Sequence, residues 1–128
     1  MPSATTMIAI VNDNDLTLTA FPRVIKAFLS DIAIWPFATA EEFVEAVKGG
    51  YRCHLVLMDN RFAFSEMQGP ECVRAILRTW PQAKVVAFTI NDSPAVRQAF
   101  KLSGAFGFID ASQSTDKIIA QLQHYLES

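Results

Sequence analysis

Two cysteines and two histidines are all that this 128-residue chain offers to thiol or soft-metal chemistry. Cys53 and Cys72 lack a metal-ligand spacing, and His54 and His124 stand beside no candidate nucleophile. Neither a zinc centre nor a histidine-based triad is supported, and the expectation for the cysteines is two reduced, buried thiols. Eleven Lys and Arg against thirteen Asp and Glu leave a formal net charge of -2, so no basic field recruits nucleic acid. No apolar run approaches the ~18 residues that a membrane span needs. The opening Met1-Pro2-Ser3-Ala4-Thr5-Thr6 has neither the basic start nor the apolar stretch of a secretory signal. A cytoplasmic location is expected, with no membrane partner. Repeats, low-complexity tracts and linkers are also missing, which points to one domain over residues 1–128.

What the chain does have is hydrophobic content, at 51%, a fraction that suits a sheet covered on both faces. Three apolar runs each stop on a small polar residue. Ile8-Ala9-Ile10-Val11 leads into Asn12-Asp13, Leu55-Val56-Leu57-Met58 into Asp59, and Val85-Val86-Ala87-Phe88 into Thr89. Short runs of this kind between helical patterns read as buried parallel strands. The carboxyl ends of such strands lie together at the edge where ligands bind. Two carboxylates and a hydroxyl from distant parts of the chain should therefore meet in one small polar site.

The pattern alternates strand and helix five times. Strands are expected over Met7 to Asn12, Ile32 to Trp35 (closed by Pro36), Cys53 to Met58, Lys84 to Phe88 and Phe106 to Ile109. The first helix takes Asn14 or Asp15 as its cap and buries Leu16, Phe21, Val24, Ile25, Phe28 and Leu29. The second opens on the capping box Thr39-Ala40-Glu41-Glu42 and ends at Gly49-Gly50. Gly69-Pro70-Glu71 opens the third, which buries Val73, Ile76, Leu77 and Trp80. Asp92-Ser93-Pro94 announces the fourth, which ends before Gly104. The fifth begins near Ser114 and buries Ile118, Ile119, Leu122 and Leu126. Five such units specify an α/β fold, a doubly wound five-stranded parallel sheet of flavodoxin-like order 2-1-3-4-5.

Taken together, these segments resemble the receiver domain of bacterial response regulators over nearly the whole chain. Ile8 to Leu16 is similar to the family's first strand with its acidic pair, here Asn12-Asp13. Leu55-Val56-Leu57-Met58-Asp59-Asn60-Arg61 resembles the strand carrying the phosphoacceptor aspartate. Gly69 falls where the family opens its third helix, and Val85 to Thr89 resembles the strand with the switch threonine. Ser103-Gly104-Ala105-Phe106-Gly107-Phe108-Ile109 resembles the turn into the fifth strand.

The resemblance implies a flavodoxin-like phosphoacceptor, a signalling module and not a turnover enzyme. Asp59 would accept a phosphoryl group from a histidine kinase or phosphotransfer protein. A weakly held Mg²⁺ would sit on Asp13, Asp59 and the Arg61 backbone carbonyl, with Asn12 acting through water. Thr89 would hydrogen-bond the phosphoryl group, and Phe108, in the aromatic switch position, is expected to rest buried. The output would be a downstream protein or a homodimer, not direct nucleic-acid binding.

Three departures accompany the resemblance. Asn12 replaces one acid of the pair, which should weaken Mg²⁺ without abolishing its site. Ala111 stands where the family has a lysine. An ammonium ~4 Å from an anion contributes on the order of 4 kcal/mol near a protein surface before desolvation is discounted. Ile90 occupies a place usually given to a very small residue and should slow both donor entry and hydrolysis. These keep open a second reading, a degenerate receiver that binds proteins without being phosphorylated. A dehalogenase-type phosphohydrolase would need an aspartate where Arg61 stands, and a flavodoxin would need glycines in place of the acidic turn Asn12-Asp13-Asn14-Asp15. For the output face, Phe106 is either an interface aromatic rimmed by Lys101, Gln121 and Tyr125 or a core residue at the strand's start.

Overall fold

A computed structural model describes residues 5–63, 65–90 and 93–128. Ten elements alternate: β1 (Thr6–Val11), α1 (Asp15–Phe28), β2 (Ile32–Phe37), α2 (Ala40–Lys48), β3 (Leu55–Met58), α3 (Gly69–Thr79), β4 (Val85–Thr89), α4 (Pro94–Ser103), β5 (Gly107–Asp110) and α5 (Thr115–Glu127). The strands form one parallel sheet of order β2-β1-β3-β4-β5, the expected doubly wound arrangement. No helix among the described residues is long and apolar enough to cross a membrane.

Period-two alternation divides the core into two layers. Ala9, Val11, Val56, Met58 and Ala87 pack under α2, α3 and α4 against Phe43, Val47, Val73, Ile76 and Phe100. Ile8, Ile10, Leu55, Leu57, Val86, Phe88 and Ile109 face α1 and α5, meeting Ile25, Ile118, Ile119 and Leu122. Every residue of β3 and β4 is buried, as strands covered on both faces require.

The helix ends follow their chemistry. Thr39 Oγ1 accepts from the Glu42 N–H at 3.1 Å, and Ser93 Oγ accepts from the Val96 N–H. Gly104 closes α4 in the left-handed region at φ 99°, which glycine adopts without strain. The first-helix cap is Asn14, whose Oδ1 accepts from the Thr17 N–H and whose carbonyl accepts from Leu18. The expected cap Asp92 lies outside the described residues, as does the side chain of Leu16.

Several expectations need correction. β2 runs through Pro36 to Phe37, with Pro36 opposite Ile10. It is an edge strand, where a missing N–H is tolerated. β3 starts at Leu55, and His54 instead anchors β1: its Nδ1 accepts from the Met7 N–H and its N–H donates to the Met7 carbonyl. Phe28, read as core, is 54% exposed at the last residue of α1, and Leu126 is only half-buried at the end of α5. Cys72 is buried but Cys53 only half so. Burial pushes their thiols up to about 12 and about 11, so neither is a reactive thiolate.

α1 also carries Pro22 in its interior. A proline there removes the bond to the Leu18 carbonyl and crowds it. Pro22→Ala should raise stability by about 1–3 kcal/mol in urea titrations, and an unchanged or lower midpoint would show that the helix is already adapted to the ring.

Candidate functional site

β1 and β3 lie side by side with Val11 opposite Met58, so the residues that follow emerge together at the carboxyl edge. The Asp59 N–H donates to the Val11 carbonyl at 3.0 Å, and the Ala111 N–H donates to the Thr89 carbonyl at 2.9 Å. Asn12, Asp13, Asp59, Ile90 and Ala111 line one cavity of about 170 Å³. Thr89, 5% exposed, hydrogen-bonds the Asp59 carboxylate through its side chain. The two carboxylates and the hydroxyl are brought together as the strand pattern requires.

Burial raises the Asp59 carboxyl to about 6, and the negative charge of Asp13 adds to the rise. The Asn60 N–H, 2.8 Å from Oδ1, and the Thr89 hydroxyl oppose it. Neither carboxylate has a salt-bridge partner among the described residues, whose ion pair is Lys48–Glu45 on the surface.

The remaining sequence-predicted residues divide. Asn12 is buried, and its Oδ1 accepts from the Asn14 N–H at 2.8 Å, so its side chain holds the β1–α1 turn. Asp13 Oδ2 accepts from the Ala63 N–H at 2.6 Å and thereby fastens the β3–α3 loop. That loop is tied further by Glu41 to the Met67 N–H, by Ser65 to the Ala40 N–H and by Gln68 to the Phe62 N–H. The Met67 bond chiefly holds the Glu41 carboxyl below its usual value. These supports went unread in the sequence because partners up to 50 residues apart share no local pattern. Gly69 could be read, and its reason is now visible: a Cβ there would collide with the Asp59 carbonyl oxygen.

The Arg61 side chain is exposed and lines a different groove, between α3 and α4, with Glu71 and Arg74. Phe108 is half-buried rather than buried. It packs edge-on to Phe100, with the Arg97 guanidinium 4.3 Å above its ring. Phe106 is 50% exposed, so half of it stays in solvent, which favours the interface alternative over the core one. Its ring meets Tyr125 and lies 5.3 Å below Lys84 Nζ. Lys101 is exposed beside it. Gln121 and Tyr125 turn inward, Gln121 pairing with Gln113 and the Tyr125 hydroxyl accepting from the Phe108 N–H. Lys84, which the sequence did not single out, lies beside the Phe106 ring as well.

No group of three or more His, Cys, Asp and Glu among the described residues is placed to hold a metal ion. Two oxygen donors nevertheless face each other closely enough for one charge to raise the other's pKa. That repulsion, with hard carboxylate ligands, fits a Mg²⁺-type cation shared with water.

The same fold recurs in solved structures of receiver domains. One is a CheY-like response regulator receiver from Methanospirillum hungatei JF-1, at TM-score 0.81 and 19% identity, covering 97% of this chain and 95% of the other. Another is a two-component response regulator of the LuxR family from Aurantimonas sp. SI85-9A1, at TM-score 0.85 and 21% identity, covering 97% and 86%. The BeF3-activated DrrB receiver domain matches at TM-score 0.80 and 20% identity, covering 97% and 99%. A comparison with curated proteins gives no match. Residues 8–123 match the family model of the response regulator receiver domain, and the chain belongs to that family, whose members are modules of two-component signalling.

The raised pKa has a sign that can be tested. An aspartate unfolded at 3.8 and folded at about 6 binds its proton more tightly when folded. It therefore destabilises the fold at pH values above about 6, and that loss disappears below about 4. Asp59→Asn should be more stable than the parent by up to about 3 kcal/mol at pH 7 with chelator present, the two curves converging near pH 4. Equal stability at pH 7 would remove the charge conflict from the site.

Proposed function

We propose that this receiver takes a phosphoryl group on Asp59 from a phosphohistidine of a cytoplasmic histidine kinase or phosphotransfer protein. The observation that carries the reading is the meeting of Asp13, Asp59 and Thr89 at the carboxyl edge, with Asp59 half-buried at the base of a small cavity. In this reaction a carboxylate oxygen attacks phosphorus, an O–P bond forms and the donor's N–P bond breaks, and the leaving imidazole takes a proton from solvent. With its carboxyl at about 6, Asp59 is mainly ionised at pH 7 and so is a competent nucleophile. Held by Asp13, Asp59 and the Arg61 carbonyl, with Asn12 acting at most through water, Mg²⁺ would offset the charge of the arriving group. The Thr89 hydroxyl, already bonded to Asp59, would donate to a phosphoryl oxygen, and Phe108 would respond on the far side of β5. No other catalyst is required for the chain to take its own phosphoryl group from a small donor.

One observation favours a second reading, a degenerate receiver that binds its partners without modification. Among the described residues the charged ones lining the cavity are Asp13 and Asp59, and none of these supplies a cation to an incoming phosphoryl group. Incubation with a small phosphodonor and Mg²⁺ should add one hydroxylamine-labile phosphoryl group, absent from Asp59→Asn. Ala111→Lys should raise the yield about tenfold, more than Asn12→Asp does, because a third of the ~4 kcal/mol Coulomb energy of a near-surface ammonium, left after desolvation, is about 1.4 kcal/mol. A parent protein unmodified by the donor and blind to beryllofluoride would establish the degenerate reading.

The output surface we assign to α4, β5 and α5 around Phe106, flanked by Lys84, Arg97 and Lys101, where a homodimer partner or a target protein would dock. Phe106→Ser should weaken self-association or target binding in sedimentation runs while moving the thermal midpoint by only a degree or two, since the ring is half in solvent. A fall of many degrees would show that the ring carries core packing instead.

A further inference from the structure

The acidic cavity has a neighbour. A second cavity of about 370 Å³ opens between α1, β4 and the start of α5. The two share Thr17, Phe88, Ile90 and Ala111 as walls, so they adjoin around the small side chain of Ala111. Every described residue lining the second cavity is uncharged, and Phe21, Val24, Phe88, Ile90 and Ile118 make most of it apolar. Among the described residues the first carries two negative charges and no positive one. Space of this form is complementary to a cation on an aliphatic stem, the charge against Asp59 beside Ala111 and the methylenes along Ile90, Phe88 and Phe21. A bare metal ion satisfies the acids but leaves the apolar cavity open, and a neutral hydrocarbon does the reverse.

We propose that the two adjoining cavities bind a primary alkylammonium group, its charge against Asp59 on the side of Ala111, away from the Asp13 and Arg61 side assigned above to Mg²⁺. The group belongs either to a small amine or to a lysine presented by a partner protein, which share this chemistry. The proposal rests on the reading of Asp59 as the functional carboxylate, but its test does not need phosphorylation. Each methylene buried strengthens binding roughly fourfold, so n-butylammonium should bind at least tenfold more tightly than methylammonium or n-butanol.

The test is titration of the ¹⁵N-labelled full chain, without phosphodonor or Mg²⁺, with those three probes and with Nα-acetyl-lysine methylamide. The expected result is saturable shifts at Asn60, Thr89 and Ala111 with n-butylammonium, weakened at least tenfold in Ala111→Lys, whose own ammonium fills the place. Should Ala111→Lys fail to fold, Asp59→Asn serves, weakening the ammonium and not the alcohol. Binding of the acetyl-lysine amide as well assigns the group to a partner's lysine; binding of n-butylammonium alone assigns it to a free amine. Shifts no larger than those with methylammonium at equal ionic strength, or unchanged by both substitutions, overturn the proposal. A chain that binds the amine yet is never phosphorylated sinks the phosphoacceptor reading and leaves this one standing. One that is phosphorylated but ignores the amine does the opposite.

Discussion

Parallel pairing of β1 with β3 forces two carboxylates together, and most of the site follows from that. With Val11 held opposite Met58 and both strands buried on each face, neither strand can slide without moving a full set of core side chains to the wrong layer. Asp59 therefore stays half-buried beside Asp13, and its carboxyl is pushed up to about 6. A fold tolerates such a conflict where a ligand resolves it. The core supplies the rigidity and the edge keeps the strain.

Asp13 is also a structural ligand, which couples the site to its surroundings. One of its oxygens accepts from the Ala63 N–H, while Gly69 lies against the Asp59 carbonyl so closely that no side chain fits. The β3–α3 loop is thus held from β1 at one end and from the first turn of α2 through Glu41 at the other. The loop and the site thus share one carboxylate, that of Asp13. On the opposite side the route is shorter. Thr89 pairs with Asp110 in the sheet register, and two residues back in β5 stands Phe108 beneath Arg97. The rings and cations of the α4–β5–α5 face lie one strand from the chemistry.

The sheet order, all ten elements and the site carboxylates were legible in the sequence, because buried parallel strands and capped helices write strong local patterns. Ile8 to Val11 and Leu55 to Met58 are short apolar runs set between helical patterns, as buried parallel strands are. The boundaries moved where tertiary context decides. Pro36 reads as a stop, yet an edge strand leaves N–H groups without a neighbour and lets the strand continue. Phe28 belongs to the helical stripe by period, yet the helix ends there and its ring is left in solvent. What no pattern encoded was long-range polar contact. Asp13 with Ala63, Glu41 with Met67 and Lys84 over Phe106 join segments whose proximity exists only after folding. Phe106 itself was undecidable, since an aromatic at a strand's start serves core and interface equally until its exposure is known.

Two of the three departures at the site, Asn12 and Ala111, act in different ways. Asn12 replaces a carboxylate, but its oxygen accepts the Asn14 N–H, a bond that asparagine makes as well as aspartate. The turn is kept and one negative charge is removed, which lessens the crowding of anions as well as the pull on a cation. Ala111 has no such compensation. It contributes a methyl group to the wall shared by an acidic and an apolar cavity, and a methyl group cannot neutralise anything. Nor is Arg61 a substitute, since its side chain lies in the groove between α3 and α4. The described residues place no cation at the cavity, so its two carboxylates are left facing each other, and the space beside Ala111 is where an opposing charge would fit.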